Sequence, residues 1–214
     1  MTTQIKRRPG RPAKAARVGA PVSERMFAIA TELFARKGYK AVSIREIARK
    51  SGVTLSSLYH HFGDKRQLYI QVHLKEFEKS SARLEAAIAA DGNAAQKLLA
   101  FTTELCRVLS DPGPLFRLVA RHYIEGEPDV VRSLAQATVP EQFRRTRAAI
   151  HLLDPERDAT ALTLSLYSLV HGHITLQPFA ASIARRSGIP RAPQAMAAYV
   201  LSLLLPDIRW CAAS

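Results

Sequence analysis

The stretch that most limits how this chain can fold runs from Ser43 to Leu68, SIREIARKSGVTLSSLYHHFGDKRQL. Ser43 stands where a helix N-cap is needed, and Glu46 three residues on completes a capping-box pattern. Ile44, Ile47 and Ala48 share one helical face. Ser51-Gly52 stops this first helix, because glycine takes the left-handed conformation that a helix end often requires. Thr54 caps a second, short helix from Leu55 to Phe62, anchored by Leu58 and Phe62 four residues apart. Its other side carries Ser56, Ser57, Tyr59, His60 and His61. Gly63 ends it, and Asp64 with Gln67 caps a third helix at once.

Two helices joined by a short turn containing glycine make a helix-turn-helix. The second helix of such a unit is narrow enough for the DNA major groove and carries hydrogen-bonding groups outward. The competing reading is a plain helical hairpin in an all-α protein. Charge decides between them. Residues 1–22 hold six Lys/Arg and no acid, residues 23–66 nine Lys/Arg and four Asp/Glu, and the remaining 148 residues sixteen and fourteen. Of the net charge of +13, +11 therefore lies in the first 66 residues. That asymmetry predicts a polyanionic partner, double-stranded DNA, for the N-terminal third.

A membrane partner is not expected. No apolar run approaches the roughly 20 residues a bilayer-spanning helix needs, and the basic N-terminus lacks the apolar stretch of a secretory signal. Cys106 and Cys211 make no metal or redox spacing and suit a reducing cytoplasm. The expected location is cytoplasmic.

In chain order, residues 1–22 are rich in Arg, Lys, Pro, Gly and Ala without apolar periodicity, the composition of a disordered arm. Within it Arg7, Arg8 and Arg11 flank a Gly-Arg-Pro core that resembles an AT-hook, whose arginines enter a narrow A·T-rich minor groove. A basic tail contacting phosphates without preference is the alternative. Ser23–Lys37 reads as a helix with Gly38 as its stop. Asp64 to about Ala90 is a long helix leaving the basic third. Further helices are expected from Asn93 to Leu109, Leu115 to Glu125, Pro128 to about Leu152, Glu156 to about Ile174, and Pro193 to Leu205. Pro178 is expected to kink or interrupt the fourth of these. The fold class is all-α with about nine helices: a basic arm (1–22), a helix-turn-helix domain (23–68) and a helical body (69–214).

Residues Phe34, Gly38-Tyr39, Ser43, Ile47, Ala48, Gly52-Val53, Leu58-Tyr59, His61-Phe62, Lys65 and Leu68 stand in an order and spacing that resembles the DNA-binding domain of the TetR (tetracycline-repressor) family of bacterial transcription regulators. The resemblance implies a homodimer on a near-palindromic operator, its two short helices in successive major grooves about 34–36 Å apart. It implies a body that forms the dimer interface and an effector cavity, with a small molecule there swinging the long helix and releasing DNA. Carried onto this sequence, it implies DNA contacts from Arg45, Thr54, Leu55, Ser56, Ser57, Tyr59, His60, His61 and Lys65. Leu55 and Ser56 depart from the family, where a basic or polar residue and a glycine are common. Leu55 either packs on a thymine methyl or loses a phosphate contact. Tyr59 has a core-edge alternative, and His61 a bracing one.

Phe101, Leu105, Leu118, His122, Phe143, His171 and Gln177 are candidates to line the effector cavity, since polar groups such as His122-Tyr123 and His171 to Gln177 interrupt apolar helices. Partly exposed or satisfied core residues are the alternative. Leu162, Leu166, Leu169, Val170, Tyr199, Val200 and Leu203 on the last two helices suit a four-helix interface between two copies. His60-His61 and His171-x-His173 are spaced to point to different helix faces, so neither a metal nor another cofactor is expected. No nucleophile triad, phosphate loop or carboxylate pair suggests an enzyme. The expected function is a ligand-responsive transcriptional regulator, a repressor by preference. The runner-up is a sequence-tolerant architectural DNA-binding protein relying on its basic arm.

Overall fold

A computed structural model of the chain describes residues 21–210 except 112, 127, 139 and 184–187. Arg7, Arg8 and Arg11 of the arm, Pro112 and Cys211 lie outside the described residues, as does the side chain of Tyr123. The described residues form ten helices and no strand: α1 (Val22–Ala41), α2 (Ile44–Ser51), α3 (Leu55–Phe62), α4 (Lys65–Ala89), α5 (Ala94–Ser110), α6 (Pro114–Glu125), α7 (Pro128–Thr138), α8 (Pro140–Leu153), α9 (Ala159–Ile183) and α10 (Pro193–Leu204).

The tenth helix comes from Pro140. The sequence predicts one helix from Pro128 to Leu152, but Pro140 begins a new one, α8. Proline disfavours helical backbone in the residue before it and offers no N–H to the preceding turn. The expected start at Glu156 does not open α9. Asp158 does, accepting from the Thr160 and Ala161 amides at 2.8 and 3.2 Å, while Asp154 pairs with Arg157. Pro178 neither ends nor interrupts α9, which continues to Ile183. It is exposed, and its missing N–H leaves one carbonyl of the preceding turn without its helical donor, a cost of one bond. α1 begins at Val22, one residue before the expected Ser23, behind Pro21 and with no side-chain cap. Gly38 departs from helical geometry (φ 80°, ψ 172°), so α1 is one long helix to that point and a single turn beyond it.

Two apolar cores result. One gathers Met26, Leu33 and Phe34 of α1, Ile47 of α2, Leu58 and Phe62 of α3, and Leu68, Tyr69 and Val72 of α4. It also takes in Leu118 of α6 and Val130 and Leu134 of α7, so its packing runs past Leu68 into the body. The other is built around α5, with Leu98, Phe101 and Leu105 against Leu166 and Val170 of α9 and Met196 and Val200 of α10. Leu84 and Ile88 of α4 join this second core. A 25-residue helix, about 37 Å long, is thus rooted in one core at its start and in the other at its end.

Candidate nucleic-acid interface

The local chemistry of α2 and α3 sets the geometry of the exposed face. Ser43 Oγ accepts from the Glu46 amide at 3.1 Å, and the Gly52 N–H closes α2 in a left-handed cap (φ 69°) onto the Ala48 and Arg49 carbonyls. The expected capping box at Ser43 is only half made. The Glu46 carboxylate turns instead to Lys37 of α1 at 2.8 Å, tying α1 to α2. That hydrogen bond holds the Glu46 carboxyl below its ordinary pKa. Thr54 Oγ1 accepts from the Ser57 amide at 3.1 Å and starts α3. Asp64 and Gln67 make a full reciprocal capping box at the head of α4, with bonds of 2.8 and 3.3 Å.

These caps fix which way α3 faces. Leu58 and Phe62 are buried, and Phe62 meets the Phe27 ring edge-on at 4.8 Å. Thr54, Ser56, Tyr59, His60 and His61 are exposed, and Ser57 is half-buried. Tyr59 is 49% exposed, so it is not a core-edge aromatic. Leu55 is half-buried and packs against the N-terminal core, which gives it an intramolecular role at the start of the helix. Arg45 is exposed in the first turn of α2.

Lys65 is less exposed than these. It donates to the Lys40 carbonyl at 3.3 Å, and its ammonium lies 4.4 Å from the centre of the Tyr39 ring. Burial lowers its pKa from the ordinary lysine value. Three donors leave it able to hold an oxygen ligand as well. His61 makes its ring contacts with His60 and Phe62.

The face is held to the body by side chains the sequence pattern did not single out. Arg66 donates to the Asp129 carbonyl (3.1 Å) and Ser133 Oγ (2.8 Å) on α7. Arg121 of α6 donates to the Ala35 and Arg36 carbonyls (3.2 and 2.6 Å). The signal for the second contact was Gly38, because leaving helical geometry there takes the usual i+4 amide partners away from carbonyls in the preceding turn. His73 of α4 and His122 of α6 face each other with ring centres 5.6 Å apart. Burial depresses both pKa values, that of His73 to about 4.

The seven expected cavity residues are not brought to one place. Phe101 and Leu105 belong to the body core, where Tyr167 meets both Phe101 (6.1 Å) and Phe143 (6.4 Å). Leu118 belongs to the N-terminal core, and His122 faces His73. His171 meets Phe116 at 6.0 Å. Gln177 lines a separate cavity of about 310 Å³ with His173, Leu176, Phe179 and Arg191. Among the described residues no cluster of three or more His, Cys, Asp or Glu is placed to hold a metal, and no helix is long and apolar enough to cross a membrane.

Residues 27–72, which hold most of this face, match the family model described as "Bacterial regulatory proteins, tetR family". Among curated proteins, the chain is 28% identical over 109 residues to the HTH-type transcriptional activator FasR of Mycolicibacterium smegmatis, 51% of this chain and 50% of that one. It is 41% identical over 59 residues to the HTH-type transcriptional repressor KstR2 of the same organism, 27% of this chain and 28% of that one. The chain thus spans half or less of the length of these two relatives. Among solved structures, FadR from Bacillus subtilis in complex with stearoyl-CoA superposes with a TM-score of 0.66 at 15% identity, over 87% of this chain and all of that one. At that identity the likeness is one of fold.

Proposed function

We propose, for a chain whose N-terminal domain belongs to the tetR family of bacterial regulatory proteins, that it is a DNA-binding transcriptional regulator with α3 as its major-groove reader. The observation that carries this is the division of α3 into a buried Leu58–Phe62 side and an exposed side of Ser56, Tyr59, His60 and His61, within the region that holds +11 of the net charge. Ser56, Ser57, Tyr59 and His60 are assigned to bases and nearby phosphates. Arg45, Thr54, His61 and Lys65 are assigned to positioning on the backbone. The basic arm, with Arg7, Arg8 and Arg11, adds minor-groove or phosphate contacts.

The regulator acts as a homodimer on a near-palindromic site. Leu164, Leu176 and Phe179 of α9 and Leu203 of α10 are large apolar side chains left exposed on the two helices assigned to the interface. Pairing them across a two-fold axis removes them from water. A small-molecule effector binding in the body releases the DNA through α4, which is rooted in both cores. The protein is a cytoplasmic repressor without catalytic activity of its own.

The test is an anisotropy titration of duplexes from the gene's own flanking region against a random duplex of equal length. A salt-dependent preference for one inverted repeat supports the reading, and equal affinity for the random duplex defeats it. A sequence-tolerant architectural role is separated by deleting residues 1–20: an architectural protein loses nearly all binding, whereas an operator reader keeps its preference at lower affinity. Expression of a reporter behind the preferred duplex, with and without the protein, distinguishes repression from activation.

A further inference from the structure

The cleft between α1 and α6 is lined on one side by Glu32 and Arg36, one turn apart on α1. On the other side stand Arg117 and Arg121, one turn apart on α6, with Phe116 and Ala120 between the polar groups. Its volume is about 550 Å³, within the range of small-ligand sites. Three guanidinium groups share this space with one carboxylate. Glu32 offsets little of that charge: it lies 3.8 Å from Arg36, and both side chains are more than half exposed. Arg121 directs two of its five N–H groups to backbone carbonyls of α1. Among the described residues Arg117 has no hydrogen-bond or ion-pair partner.

We infer that this cleft is a binding site for a small amphipathic organic anion, distinct from the body core and from the DNA-facing surface. The carboxylate or phosphate of such a ligand is held by Arg117 and Arg36, because planar guanidinium forks pair with such groups through two parallel hydrogen bonds. Its apolar part lies along Phe116 and Ala120. An anion that draws Arg121 into the cleft weakens its hold on the Ala35 and Arg36 carbonyls, so occupancy and the seating of α1 are linked.

The probe is 2-naphthoate, with the isosteric neutral 2-naphthamide as comparison, measured by equilibrium dialysis against the full chain without DNA. The naphthoate is expected to bind at least about tenfold more tightly than the amide, the worth of one charge-assisted contact. Arg36→Gln and Arg117→Gln each weaken it about fivefold or more, and together they abolish the preference, while an unchanged melting temperature shows that the variants fold. Arg144→Gln, on α8, leaves the preference intact. Equal affinity for the two probes overturns the inference, as does a preference that survives the double substitution. Lost duplex affinity in the double variant, with no naphthoate preference in the native chain, overturns it too and assigns these arginines to DNA phosphates. Because dialysis uses no DNA, failure of the operator reading leaves this result untouched.

Discussion

The guanidinium of Arg121 donates to the backbone carbonyl of Arg36 at 2.6 Å, joining α6 of the body to the end of the long segment of α1. Its Nε reaches the Ala35 carbonyl as well. Removing this side chain leaves two carbonyls at a helix end short of a donor. Arg121→Ala is expected to cost about 1–3 kcal/mol, read as a lower urea midpoint with unchanged slope. Arg144→Ala, on the exposed face of α8, is the comparison. Equal midpoints for the two variants would show that the Arg121 bonds do not secure α1.

His73 gives the fold an acid limit. Its Nδ1–H donates to the Tyr69 carbonyl at 3.0 Å and its ring is 5% exposed, so the imidazolium is disfavoured in the folded state. Its pKa falls from 6.5 to about 4, chiefly through burial. Below pH 6.5 the unfolded chain takes up the proton and the folded chain does not, so stability falls as pH drops from about 6.5 to about 4. Above that window this histidine adds no slope. The loss approaches about 3 kcal/mol when complete. His122 shifts in the same direction by the same cause and adds to it. Melting temperature followed from pH 7.5 to 4.5 should drop less steeply in His73→Phe than in the native chain.

At Gly52 the backbone and not space is the constraint. A Cβ placed there meets nothing within 4 Å, yet φ is +69°. Gly52→Ala therefore costs about 1–2 kcal/mol by conformation alone. Gly52→Asn costs less, because asparagine tolerates the left-handed region. Thermal denaturation of the pair checks this, and an equal loss in both variants would point to a steric contact instead.

Tyr59→Phe separates binding from stability. The phenol is on the exposed side of α3, so the variant should melt with the native protein. Its duplex affinity should fall about fivefold, the worth of one hydrogen bond of about 1 kcal/mol. Ser56→Asn, also on the exposed side, should change which base is preferred opposite it. An unaltered preference would argue that α3 is not the reader.

Features governed by neighbouring residues are legible from the chain alone. Thr54 and Asp64 cap their helices as their spacing predicts, because a cap joins a side chain to an amide only three residues away. The apolar spacing identifies Leu58 and Phe62 as the buried side of α3 for the same local reason. Glu46 departs from its local pattern because a carboxylate in a first turn has two possible partners, its own cap amide and a distant cation. Only packing brings Lys37 within 2.8 Å. The candidate cavity residues scatter for a related reason. Apolar periodicity shows that a helix has a buried face but not which neighbour covers it, so Phe101 and Leu118 look alike in the chain and belong to different cores.

The order of the residues by itself determined an all-α chain, a capped helix-turn-helix with a polar outer face, and the charge gradient along it. These depend on hydrogen bonds and side-chain spacing within a few residues, and on simple summation of charge. Only the tertiary structure decided that α6 and α7 complete the N-terminal core, that α4 is anchored in both cores, and that Arg66, Arg121 and His73 lie where head and body meet. Those contacts join groups tens of residues apart. Nothing in the local sequence around Arg121 distinguishes it from Arg117 one turn earlier, until α1 packs against α6 and offers its carbonyls to one of them.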